Sequence, residues 1–278
     1  MKQVFVCCVM ICSLLFAVCG CSNDLSPQQG TGQKESGIKQ NETDNNNSQT
    51  SGEQGQNEPD PQEVKPQEIS LLEISELRTE YSSEAKRAEY IEFKVKSAGN
   101  LNGLRLYIMW NAKTPFIYDF PAVDVSSGEY VTLHLRTLES NCINELGKNL
   151  SESAGTDSCP TARDLWIPGS TELLRQTDIV YLQDADGKIF DAIIMNESPG
   201  DTWKKNQAHF AGIAEDLYAR GVWKSANGKK PSPLDAVDTS TTSPTKSVSR
   251  YEGKENTHTA KDWYITALNK ASPGQPNK

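Results

Sequence analysis

From residue 68 onward, apolar and polar residues alternate over a series of short stretches. Glu89-Tyr90-Ile91-Glu92-Phe93-Lys94-Val95 has the period of two that a half-buried strand requires. Leu104-Arg105-Leu106-Tyr107-Ile108 repeats it after a turn at Asn100-Leu101-Asn102-Gly103. The aliphatic run Ile69 to Leu77 reads as a leading strand. Phe116 to Phe120 and Tyr130 to Leu135 read as two more, separated by a turn at Ser126-Ser127-Gly128. The strongest hairpin signal is Asp178 to Gln183, then Asp184-Ala185-Asp186-Gly187, then Lys188 to Ile194, because glycine after Asp accepts positive φ without steric cost. Short strands set off by turns predict an all-β antiparallel sandwich. One helix interrupts them. Asp201 can cap it, Trp203, Phe210, Ile213, Ala214, Leu217 and Tyr218 form an apolar stripe, and Gly221 ends it. Its expected role is to cover a sheet edge; binding a partner is the alternative.

The first 67 residues have another character. Met1-Lys2 gives a positive start, and the apolar run Val4 to Val18 suits a signal-peptide core while being short for a membrane-spanning helix. It ends in Val18-Cys19-Gly20-Cys21, which resembles the lipobox of bacterial lipoproteins, although Cys19 stands where Ala or Ser is commoner. The resemblance implies cleavage after Gly20, acylation of Cys21 with lipid such as palmitate, and anchoring to the inner or outer membrane, facing the periplasm or the exterior. An ordinary cleaved leader giving a soluble protein is the alternative. Residues 21–67, dominated by Gln, Asn, Ser, Gly, Glu and Pro, cannot bury enough apolar surface to offset their ordering entropy. They are expected to form a disordered tether with a root-mean-square span of roughly 35–40 Å. The expected organisation is thus leader 1–20, tether 21–67 and one domain over 68–278.

Charge narrows the partners. The chain of 278 residues carries a net charge of -9, which keeps a secreted domain soluble and argues against binding nucleic acid. Lys204, Lys205, Lys224, Lys229 and Lys230 are the one local basic concentration, expected as a solvated helix face and loop. Beyond the leader and Cys21, only Cys142 and Cys159 remain of seven cysteines. In an oxidising compartment they most simply pair, closing a loop of about 17 residues for roughly 3 kcal/mol. Two free thiols are the alternative.

Candidate chemistry is sparse. His134, His209 and His258 lack zinc-ligand spacing and no nucleophile motif accompanies them. Asp184, Asp186 and Asp191 around Gly187 lack the ligand pattern of a calcium loop, and the hairpin turn accounts for the first two. No metal and no cofactor are expected. A carboxylate pair for glycoside hydrolysis among 37 acidic residues is a question of spatial separation. Trp110, Trp166, Trp203, Trp223 and Trp263 suit core or interface anchors, with a carbohydrate-stacking platform as the alternative.

Four segments in order resemble the lamin-tail domain, an immunoglobulin-like sandwich of nuclear lamins and many bacterial secreted proteins. They are Leu72-Glu73-Ile74-Ser75-Glu76-Leu77 with Glu89 to Phe93, Leu101-Asn102-Gly103-Leu104-Arg105-Leu106, the hairpin Val180 to Asp191, and the closing Ser249-Arg250, Asp262-Trp263 and Ser272-Pro273-Gly274-Gln275-Pro276-Asn277. The resemblance covers about residues 68–277. It implies an immunoglobulin-like sandwich and a non-catalytic anchoring or binding module, with no catalytic residues to carry over. The loop Thr79–Arg87 and the segment 136–176 are not core features of that family, so specific recognition of a protein or glycan is expected there. An envelope hydrolase with an acidic cleft and a self-associating structural protein are the alternatives. The hydrolase requires converging carboxylates, at least one with a displaced pKa.

Overall fold

A computed structural model describes residues 71–277 apart from 112–113, 199 and 204–206. The leader, the lipobox with Cys21 and the tether lie outside the described residues, as do Lys204 and Lys205. Thirteen strands and one α-helix are found among the described residues. The strands are β1 (Leu72–Arg78), β2 (Tyr90–Val95), β3 (Gly99–Asn100), β4 (Arg105–Ile108), β5 (Phe116–Asp119), β6 (Asp124–Val125), β7 (Tyr130–His134), β8 (Ala162–Trp166), β9 (Asp178–Gln183), β10 (Ile189–Asn196), β11 (Val237–Asp238), β12 (Val248–Arg250) and β13 (Trp263–Ile265). Helix α1 (Gln207–Ala219) lies between β10 and β11.

The chain forms a β-sandwich with this one inserted helix. Six strands run in the order β13-β12-β1-β2-β7-β8, five in the order β11-β10-β9-β4-β5, and β3 pairs with β6. The seven strands expected from alternation are all present, and the Asp184–Gly187 turn closes the β9–β10 hairpin, with Gly187 at φ +82°. The alternating inward residues Ile74, Leu77, Ile91, Phe93, Val131, Leu133 and Leu165 of one sheet meet Leu106, Ile108, Val180, Leu182 and Ile193 of the other in a single apolar core.

The sandwich is not wholly antiparallel: β7–β8 and β10–β11 are parallel. A parallel neighbour needs a crossover of a dozen residues or more. Residues 135–161 supply it for β8, and α1 with its flanking loops supplies it for β11. The helix accordingly packs on β9 and β10, inside the five-stranded sheet, and not along an edge. Phe210, Ala214 and Leu217 are its buried stripe, and the Trp203 ring lies 5.9 Å from that of Phe210. Tyr218 falls off the stripe and is exposed, and Asp201 lies too far before Gln207 to cap the described helix. Gly221, at φ +74°, ends the helix as expected.

The other face of the six-stranded sheet is polar yet buried. Across it run Arg78, Tyr90, His134 and Trp166 in one row, and Ser249, Glu76, Glu92, Thr132 and Asp164 in the next. Two segments bury these rows. The 136–161 connection brings Asp157 to pair with Arg78, sets Ser153 Oγ 2.9 Å from the Trp166 indole nitrogen, and lets Glu145 Oε2 and Asn144 Oδ1 accept from the edge amides of Asp164 (2.8 Å) and Trp166 (2.6 Å). The closing tail donates the Ser272 amide to Glu76 and the Gly274 amide to Glu92, while Asn277 Nδ2 donates to the carbonyls of Ser75 (3.0 Å) and Arg250 (3.1 Å). Gly274, at φ +72°, has no room for a side chain: a Cβ there would lie 2.9 Å from Cys159 Sγ and 3.0 Å from Ala162 Cβ. Gly274→Ala is therefore expected to destabilise by about 1–3 kcal/mol, measured by urea unfolding; an unchanged midpoint would show that the tail yields without cost.

Candidate functional site

An open cleft of about 330 Å³ lies at one end of the sandwich, where three loops meet. Thr79 and Glu80 enter from the loop that leaves β1, Glu172, Arg175, Gln176 and Thr177 from the segment before β9, and Glu197 from the end of β10. These are contributions from both segments that the sequence singled out for recognition. Strand β1 sets Glu80 in place, and a threonine–glutamine network then fixes its carboxylate. Glu80 Oε1 accepts from Gln176 Nε2 at 2.7 Å and from the Thr242 hydroxyl at 3.2 Å, and Thr239 Oγ1 donates to the Gln176 carbonyl at 2.6 Å.

Among the described residues, the carboxylates of Glu80, Glu172 and Glu197 and the guanidinium of Arg175 line this cleft. Arg175 is already engaged: its Nη2 lies 2.6 Å from Glu172 Oε2, and its guanidinium sits 4.1 Å over the Trp110 ring. Burial pushes the Glu80 pKa upward, and the nearby charge of Glu197 adds to the rise while the Thr242 hydroxyl opposes it. A lining rich in carboxylates attracts cationic groups. No motif announces it, because its members are spread from Thr79 to Glu197 and only folding brings them together.

The residues proposed from sequence do not assemble into a second site. Cys142 and Cys159 are free thiols, so the expected disulfide is not formed. Cys142 Sγ packs with the Trp166 ring around Gly155, whereas Cys159 Sγ faces the tail at Gly274 and lies 2.9 Å from Thr161 Oγ1. The loop between them is ordered by buried Glu145, whose carboxylate accepts three backbone amides, and by Arg163, which pairs with Glu129 at 2.9 Å. Burial also raises the Cys142 pKa, which keeps it a thiol.

His134 stacks on Trp166, with ring centroids 3.7 Å apart, and its Nε2 lies 2.8 Å from Asp164 Oδ1. His209 and His258 lie elsewhere, on α1 and in the loop before β13. Asp184 Oδ1 accepts the amides of Asp186 (3.0 Å) and Lys188 (2.8 Å), whereas Asp191 is buried and pairs with Arg250. No group of three metal-ligating side chains converges among the described residues. Trp166, Trp203, Trp223 and Trp263 are buried and only Trp110 is partly open, so they make no stacking platform. Lys224, Lys229 and Lys230 are exposed, with Lys230 paired to Glu215 at 2.7 Å. No helix among the described residues is long and apolar enough to cross a membrane.

A family model described as the TP_1001 protein second domain matches residues 70–265. An uncharacterized protein of Treponema pallidum (strain Nichols) is 30% identical over 213 residues, 73% of this chain and 52% of the relative. The chain thus spans about half the length of that relative.

Proposed function

The chain belongs to the TP_1001 second-domain family, and from that premise we propose that it is a membrane-anchored envelope lipoprotein whose sandwich is a non-catalytic binding module. Cys21 carries the lipid, residues 21–67 hold the head away from the bilayer, and the head resembles the lamin-tail type of immunoglobulin-like sandwich. The observation that carries the binding reading is the loop-end cleft, whose lining brings Glu80, Glu172 and Glu197 together with Arg175. Loops at the end of a rigid sandwich are the usual place for recognition, and this charge balance suits the ammonium and guanidinium groups of a basic protein segment. Hexalysine titrated calorimetrically into the mature chain is expected to bind in a salt-sensitive manner, with affinity falling about tenfold or more in Glu80→Gln/Glu172→Gln. Equal binding of hexaglutamate, or no loss in the double variant, would remove the proposal.

One observation favours a second reading, an envelope hydrolase with an acidic active site: Glu80 and Glu197 line one cleft, and burial raises the Glu80 pKa. Turnover of envelope glycans by the purified chain, abolished in Glu80→Gln, would favour it over the binding module.

A further inference from the structure

We infer that the buried polar face of the six-stranded sheet is an internal hydration site, in which ordered water links β1, β2 and β7 beneath the 136–161 connection and the closing tail. Tyr90 and His134 are directly opposed across β2 and β7, and Glu92 and Thr132 are opposed two residues along. With a period of two, these four side chains form a two-by-two block on one face, and Arg78 stands next to Tyr90 on β1. Arg78 is 2% exposed and the other four are fully buried.

Each of the five carries a polar atom with no partner in the protein: Arg78 Nε, Tyr90 Oη, Glu92 Oε1, Thr132 Oγ1 and His134 Nδ1. Half of all such atoms found among the described residues therefore fall on this one block. The remaining polar atoms nearby are committed. Arg78 pairs with Asp157, Glu92 Oε2 accepts the Gly274 amide, and His134 Nε2 faces Asp164. Buried polar groups in native folds are satisfied by protein or by ordered water, and leaving five unmatched in one place would cost far more than an immobilised water does. The donor and acceptor types decide the occupant. A hydroxyl, a phenol, a guanidinium N–H, a carboxyl oxygen and an imidazole nitrogen present both donors and acceptors, which suits a molecule that can do both. A buried water makes about three hydrogen bonds, so the block calls for about two.

Thr132→Val tests this by sign. If the hydroxyl bonds to water, the isosteric change strips a partner from that water, and the thermal midpoint should fall by about 2–4 °C. If the hydroxyl is orphaned, the same change removes a penalty; an unchanged or raised midpoint would overturn the inference. A crystal structure of the full chain at about 1.5 Å or better gives an independent reading. Water peaks within hydrogen-bond distance of three or more of the five atoms are expected, and direct pairing of those side chains with one another would overturn it.

Discussion

Replacing Arg250 by methionine is expected to cost the fold about 3–5 kcal/mol, seen as a lower urea midpoint with an unchanged slope. Arg250 and Asp191 join the two sheets through the core. The Nη2 atom of Arg250 on β12 lies 2.9 Å from both carboxylate oxygens of Asp191 on β10, and both side chains are buried. The pair is wedged where the pairing of β1 with β2 slips, between Ile74 and Glu76. There Asp191 Oδ2 accepts the Ile74 amide at 2.6 Å and Arg250 Nε donates to the Ile74 carbonyl at 2.8 Å. The two side chains thus stand in for strand partners that β12 does not give Ile74, and Arg250 is further held 4.3 Å over the Trp263 ring. Burial pushes the Asp191 pKa upward and the Arg250 charge holds it back. Without Arg250 the carboxylate is stranded, and taking up a proton limits the damage. The double variant Arg250→Met/Asp191→Leu should therefore lose less than the sum of the single changes. A single-variant loss under about 1 kcal/mol, or strictly additive losses, would show that the sheets are held by apolar contact alone.

The same residues mark how far the sequence could be read. Alternation located seven of the eight strands of four or more residues, because over that length a fixed inward face imposes a period of two. It missed β3, β6, β8, β11, β12 and β13. In β8 all five residues, Ala162 to Trp166, are buried, since the crossover covers its outer face, and the alternation that would reveal it is absent. The other five have two or three residues each, too few to show a period. Arg250 and Ser272 to Asn277 were visible only as parts of a family resemblance, and nothing in the residue pattern assigned Glu76, Glu92, Asp191 or Trp263 its role. The structure gives them physical work: Asp191, Arg250 and Trp263 form the clamp through the core, and Glu76 and Glu92 hold the tail on the opposite face. The disulfide was expected because two cysteines in an oxidising compartment most simply pair, and it would have ordered the polar loop between them. Glu145, Asn144 and Arg163 supply it through backbone hydrogen bonds that no residue-type count reveals. The acidic cleft was foreseeable only as a location, the loops at one end.

The second large effect concerns pH. Glu76 and Glu92 are directly opposed on adjacent strands, and both are fully buried. Burial drives the Glu92 pKa well above the usual carboxylate range, and the charge of Glu76 pushes it further, while the Gly274 amide and the Ser75 hydroxyl act against the rise. The native state therefore holds a proton that the unfolded chain gives up. For a raised acid the sign is fixed: its contribution is complete below the unfolded value, about 4.5, and drains away as pH climbs from there toward the folded value. One proton sets a limit of about 1.4 kcal/mol per pH unit on the loss. Glu92→Gln keeps the shape and an acceptor for the tail amide but cannot ionise. Its stability relative to the unaltered chain should rise as pH climbs above about 4.5, measured as paired urea midpoints. Asp178 and Asp191 also carry raised pKa values, but they are present in both proteins and cancel in the difference. Parallel profiles would show that Glu92 does not hold the bound proton. A widening gap would mean that the tail is held by a neutral carboxyl group, so that alkaline conditions, by charging it, would loosen the segment that seals the polar face.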